Sequence, residues 1–77
     1  MATANLIAEV TGKVWKILVE VGGEVRPDEP VLIVESMKME IPVLSTGAGR
    51  LSELYVKEGD VVEDGQTVGQ IVLDGQG

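Results

Sequence analysis

The chain has no cysteine, no histidine and no phenylalanine, and its only aromatic residues are one tryptophan and one tyrosine. Without cysteine there is neither a disulfide framework nor a thiolate zinc site, which fits a reducing compartment. Without histidine the chain lacks the commonest general base and the commonest metal ligand. Positive charge is scarce as well: 6 basic residues stand against 13 acidic ones, a net charge of −7. Nucleic acid and anionic membrane surfaces repel such a chain, and the acidic excess reads as a solvated surface. Long apolar runs are missing too, where a membrane-crossing helix needs about 20 residues. The start, Met1-Ala2-Thr3-Ala4-Asn5, has neither the basic segment nor the apolar stretch of a secretory signal. The expectation is a cytoplasmic protein, monomeric in isolation, with no nucleic-acid or membrane partner.

What is present is a dense alternation of β-branched residues and turn signals. The 77 residues form one small domain, 1–77, close to the lower size at which an apolar core folds unaided. Strands are expected at Leu6–Val10, Val14–Val21, a short piece from Val25, Val31–Glu35, Ile41–Leu44, Leu51–Val56, Val61–Val62 and Val68–Leu73. Turns fall at Thr11-Gly12, Gly22-Gly23, Arg26 to Pro30, Gly47 to Gly49, Glu58 to Asp60 and Glu63 to Gly65. Pro42 places its strand at a sheet edge or near a strand end. No helical stripe is long enough to compete, so the fold class is all-β, a sandwich or barrel of short strands.

The sequence also repeats itself. Gly12 to Val19 lies over Gly49 to Val56, glycine on glycine and apolar on apolar. Farther on, Gly23-Glu24-Val25 is aligned with Gly59-Asp60-Val61, Asp28 with Asp64, and Leu32 with Val68, which requires a one-residue slip in register and sets Ile71 near Glu35. Both halves space their apolar residues three and then two apart (Val14, Ile17, Val19 and Leu51, Leu54, Val56), predicting a bulge at the same point in each. Half-repeats of about 6–40 and 41–74 are too small to be stable alone, so each must cover the other. The middle of the chain then sits at one end of the sandwich and the termini near the other.

That middle is Glu35-Ser36-Met37-Lys38-Met39-Glu40, between Val31-Leu32-Ile33-Val34 and Ile41-Pro42-Val43-Leu44. Two strand-like arms meet at Met37-Lys38, yet the turn has none of the Gly, Asn or Asp that two-residue hairpin turns favour. Positive φ is expected at both residues, a local conflict of the kind found where function overrides propensity. Met37 and Met39 cannot both turn inward on a tight hairpin, so thioether surface is exposed beside the amine. A lysine ammonium at neutral pH is a poor nucleophile, and no base in the chain activates it. Lys38 reads as a modification target, not a catalyst.

This stretch resembles the attachment motif of biotinyl domains, the biotin carboxyl carrier proteins of biotin-dependent carboxylases. The similarity extends through Gly12, Val14, Ile17, Val19, Gly23, Val25, Leu32 and the second half from Gly49 to Val68. Many such domains carry a Pro-Met-Pro-Gly-like segment where this chain has Glu9-Val10-Thr11-Gly12. They usually have Gly where it has Glu29, and no insertion before Val25 could form a thumb loop. The short form with Trp15 is more similar to small biotin/lipoyl attachment proteins. The resemblance implies a flattened barrel-sandwich of two four-stranded antiparallel sheets and biotin joined to Lys38 through an amide. It implies recognition through Met37 and Met39, with Glu35 and Glu40 secondary. It also implies three partners: a biotin-protein ligase that transfers biotin from biotinyl-AMP, a biotin carboxylase that uses ATP and bicarbonate, and a carboxyltransferase.

Other chemistries fare worse. Lipoyl domains on the same fold usually present Asp-Lys-Ala, so flanking methionines favour biotin over lipoate, with dual use left open. Ser36 and Lys38 lie on one side of an extended arm, but a Ser-Lys dyad needs a desolvated hollow and a hairpin tip is the opposite. Asp60, Glu63 and Asp64 lack the spacing of a calcium loop. Gly47-Ala48-Gly49 lacks the lysine of a phosphate loop. A purely structural sandwich, with the methionines as a docking patch, predicts no modification at all.

Overall fold

A computed structural model describes residues 2–74. They form eight strands: β1 (Thr3–Ile7), β2 (Gly12–Ile17), β3 (Glu24–Val25), β4 (Pro30–Ser36), β5 (Met39–Leu44), β6 (Gly49–Leu54), β7 (Val61–Val62) and β8 (Thr67–Leu73). There is no helix among the described residues. Two four-stranded sheets result, ordered β1-β8-β6-β3 and β5-β4-β2-β7. Every pairing is antiparallel. The sheets do not close into a barrel and stack as a flattened sandwich, as the resemblance implies. Pro42 lies on β5, an edge strand, where its missing N–H costs no ladder bond.

Several strands begin earlier and end sooner than the apolar pattern suggests. The first runs over Thr3–Ile7 instead of Leu6–Val10, because the chain turns away at Ala8. There Ala8 donates its N–H to the Gln66 carbonyl and accepts from the N–H of Gly65. The second ends at Ile17, not Val21: after Leu18 bonds the Val31 carbonyl, a turn closed by Gly23 N–H on Glu20 ends the strand. Its counterpart β6 likewise spans Gly49–Leu54 instead of Leu51–Val56. The predicted bulges are present, between Val14 and Lys16 and between Leu51 and Glu53.

The repeat is more regular than its sequence alignment. Gly12 and Gly49 open β2 and β6, Val25 and Val62 end β3 and β7, and Pro30 and Thr67 open β4 and β8, always 37 residues apart. Hydrogen bonds follow the same spacing: Leu18 N–H to Val31 O and Tyr55 N–H to Val68 O, or Gly22 N–H to Leu51 O and Gly59 N–H to Val14 O. The expected one-residue slip is therefore absent. Gly22, not Gly23, matches Gly59, Asp28 matches Gly65 instead of Asp64, and Leu32 matches Gly69 instead of Val68. Ile71 falls at the position of Val34, not Glu35. The reason is conformational: Gly22 and Gly59 share φ values of 93° and 96°, and Asp28 and Gly65 share 64° and 89°. Backbone shape holds the register, and residue identity follows it loosely.

Inward residues of both sheets form one core, with Val14, Leu32 and Val34 from one sheet and Leu6, Leu51 and Ile71 from the other all fully buried. Each such side chain contributes about 1.5–3 kcal/mol. The one buried polar side chain among the described residues, Ser45, donates its hydroxyl to the Gly47 carbonyl at 2.7 Å, so no hydrogen-bonding group is stranded.

Candidate functional site

Strands β4 and β5 pair up to the tip: Ile33 faces Pro42, Val34 faces Ile41, Glu35 faces Glu40 and Ser36 faces Met39. Only Met37 and Lys38 remain to reverse the chain, with φ of 52° and 66°. Two left-handed residues in succession match the right-handed twist of the flanking strands, which is why two-residue hairpins adopt this turn. For residues with a Cβ the conformation costs about 1–2 kcal/mol each. The strain expected from the sequence is thus located at the two central residues of the motif. Replacing Met37-Lys38 by Asn-Gly is expected to raise the melting temperature by roughly 4–8 °C for each kcal/mol recovered. A melting temperature unchanged by the swap would show that the positive φ angles carry no cost.

The side chains at the tip are open to solvent. Met37 is 92% exposed and Met39 61%. Lys38 is exposed between them, and among the described residues it makes no hydrogen bond or ion pair. One row below, Glu35 and Glu40 face each other on the outward side, and Ser36 is half-buried. The motif residues are therefore brought together on one hairpin, with Lys38 exposed at its turn. Such an arrangement can offer a primary amine to another molecule's active site. It cannot itself desolvate or deprotonate that amine, which removes the basis for a Ser36-Lys38 dyad.

Two features of the hairpin's base come from distant parts of the chain. Strand β2 places Lys13 opposite Glu35, and β7 places Val61, 68% exposed, opposite Lys13. Gly12 lets β2 approach so closely that an added Cβ would land on the Glu35 carbonyl oxygen. Pairing across this distance leaves no local trace in sequence. The glycine shared by both half-repeats was the only available signal. Away from the tip, the Tyr55 hydroxyl is raised above its usual pKa, mainly through its hydrogen bond to the Glu53 carboxylate.

Comparison with known proteins gives a consistent set of relatives. The biotin/lipoyl family model described as "Biotin-requiring enzyme" matches residues 1–71. The biotin/lipoyl attachment protein of Bacillus subtilis is 38% identical over 78% of this chain and 82% of its own length. A biotinylated protein TB7.3 homolog of Mycobacterium leprae is 38% identical over 83% of this chain and 90% of its own. Among solved structures, Kluyveromyces lactis urea carboxylase superposes with a TM-score of 0.88 and 38% identity over 94% of this chain. That match spans only 6% of the carboxylase chain.

Proposed function

Because the chain belongs to the biotin/lipoyl attachment family, we propose that it is a biotin carboxyl carrier whose attachment point is Lys38. The observation that carries this reading is the tip itself: an exposed amine on a strained two-residue turn, flanked by exposed thioethers, on a domain of the family's fold. The residues fit the group, since an amide to biotin needs only an accessible primary amine, and Lys38, the hairpin's one lysine, is exposed at its turn. Biotin, when bound, supplies a carrier for a carboxyl group between two catalytic sites.

This chain's part is to supply the nitrogen. Acylation forms a bond from Lys38 Nζ to the acyl carbon of an adenylate and breaks that carbon's bond to AMP. Two protons leave the nitrogen, one to free the amine for attack and one as the amide forms, and both pass to a base on the ligase and on to solvent. The lysine charge disappears in the process. Tethering then holds the cargo at an effective concentration on the order of millimolar near any site the arm can reach. The partners are a biotin-protein ligase, a biotin carboxylase and a carboxyltransferase, and the chain is a non-catalytic carrier among them. A chain without cysteine or histidine suits that role and a cytoplasmic setting.

The test is the intact mass of the purified protein after incubation with ATP, biotin and a biotin-protein ligase, and separately with lipoate and a lipoate ligase. One biotinyl adduct in the first reaction and none in the second is the expected result. An adduct only in the second would make it a lipoyl carrier. No adduct in either would remove the carrier reading.

A further inference from the structure

The two sheets present the same backbone surface twice, so their outward-facing residues can be compared position by position. On the sheet that carries Lys38, Pro42 of β5 pairs with Ile33 of β4, Ile33 pairs with Lys16 of β2, and Trp15 is the extra residue of the β2 bulge. On the other sheet the equivalent row is Asn5, Gln70 and Glu53, with Ser52 at the bulge. Both rows alternate with buried residues, Val14 and Val34 in one case and Leu51 and Ile71 in the other, so both point away from the core. Pairing, bulge and neighbours are the same in the two rows. The polar row therefore shows that the fold has no need of apolar side chains at these positions.

The Lys38 sheet nonetheless carries Pro42, Ile33 and Trp15 there, and the indole remains 47% exposed. Leu18 and Leu44 do not distinguish the sheets, since their counterparts Tyr55 and Ile7 are also bulky. Charge distinguishes them at one position: Lys16 stands where the other sheet has the carboxylate of Glu53, whereas Lys13, two residues before Trp15 on the same outward face, matches Arg50 and is paired with Glu35. In a chain of net charge −7, this places two cations beside the single tryptophan.

We infer that this strip, Pro42, Ile33 and Trp15 edged by Lys13 and Lys16, is where the ligase that acylates Lys38 seats an apolar patch bordered by carboxylates. The inference rests on the carrier reading above. During acylation Nζ itself must lie at bonding distance from the activated carbon, so the enzyme has to grip the domain. A two-residue turn offers little area for that grip. The strip begins on the same hairpin with Ile33 and Pro42, about 17 Å down the strands, and continues across the sheet onto β2, which supplies that area. Later transfers act on cargo at the end of a long arm and need no such hold. A tryptophan anchor with a charged rim is the usual make-up of an energetic centre in protein interfaces. A second copy of this chain fits the strip poorly, because it brings another seven negative charges.

The test compares kcat/KM for biotin incorporation by a purified biotin-protein ligase, read by intact mass, across variants of the full chain. Trp15→Ser with Ile33→Gln installs the residues the other sheet already uses, and melting curves verify the fold. Its kcat/KM should fall about tenfold or more through KM, with kcat recovered at high carrier concentration. The mirror variant, Ser52→Trp with Gln70→Ile, should be labelled like the parent. Lys16→Glu alone, a reversal at an exposed site, should lose several-fold, and the loss should shrink as salt is raised. Parental labelling of Trp15→Ser with Ile33→Gln, or an equal loss in the mirror variant, overturns the inference while the carrier reading stands. So does a change from dimer to monomer with labelling intact, which assigns the strip to self-association. If the parent takes up no biotin at all, the carrier reading itself has failed.

Discussion

Replacing Lys38 with arginine is expected to abolish biotin incorporation completely while leaving the melting temperature where it was. Arginine keeps the positive charge and a long flexible stem, so solvation of the tip is preserved. Its guanidinium stays protonated at any accessible pH and cannot serve as the acyl acceptor. Arginine also meets the same left-handed backbone as lysine, so the strain at φ 66° is held constant between the two proteins. The side chain is exposed, and substitutions at such sites move stability by no more than about 0.5 kcal/mol. Intact mass and thermal melting, measured on the same samples, check both halves. Biotin found on the variant would mean that Lys13, Lys16 or Lys57 is the acceptor, and the proposed attachment point would be wrong.

The second large effect is on folding. Gly49 is buried where β6 lies against β8, and a Cβ built there falls on the Val72 carbonyl oxygen and within 2.9 Å of the Leu73 Cα. These are backbone atoms in the middle of a sheet and cannot rotate aside. Gly49→Ala should therefore force β6 and β8 apart, at a cost on the order of 3 kcal/mol. For a domain of this size that lowers the melting temperature by roughly 12–24 °C. It removes most of the roughly 3–5 kcal/mol that a single small core supplies. Gly22→Ala is the control: nothing lies within 4 Å of its added Cβ, and only its φ of 93° resists, at about 1–2 kcal/mol. Equal losses for the two variants would show that close strand approach is not what requires glycine at position 49.

How much of this could be read from the sequence depends on how local each feature is. Alternating β-branched residues between turn signals mark all eight strands, and the spacing of Val14, Ile17 and Val19 marks the bulge. The tip was legible for the opposite reason. Met37-Lys38 has the wrong residues for a hairpin turn, and the structure places positive φ at both. Strand ends were less legible, because Ala8 and Leu18 are turned by bonds to Gln66 and Val31, which no local pattern announces. The register slip came from matching glycine to glycine and aspartate to aspartate. Gly22 and Gly23 look alike in sequence, but only Gly22 has positive φ. The placement of Lys13, Val61 and Trp15 relative to the hairpin depends on pairings between strands far apart in the chain. No periodicity reports those.

The repeat also decides how the domain would hang from anything larger. Strands β1 and β8 pair on one sheet as β5 and β4 do on the other, and the Leu73 N–H reaches the Ala2 carbonyl in the position where Ser36 faces Met39. The first and last strands are thus hydrogen-bonded neighbours, equivalent to a hairpin whose turn has been cut. Polypeptide attached before Ala2 and after Leu73 would leave from one spot, and a domain held that way would be suspended from a single pivot. Any rotation about that pivot sweeps Lys38 through an arc and leaves both sheets undisturbed.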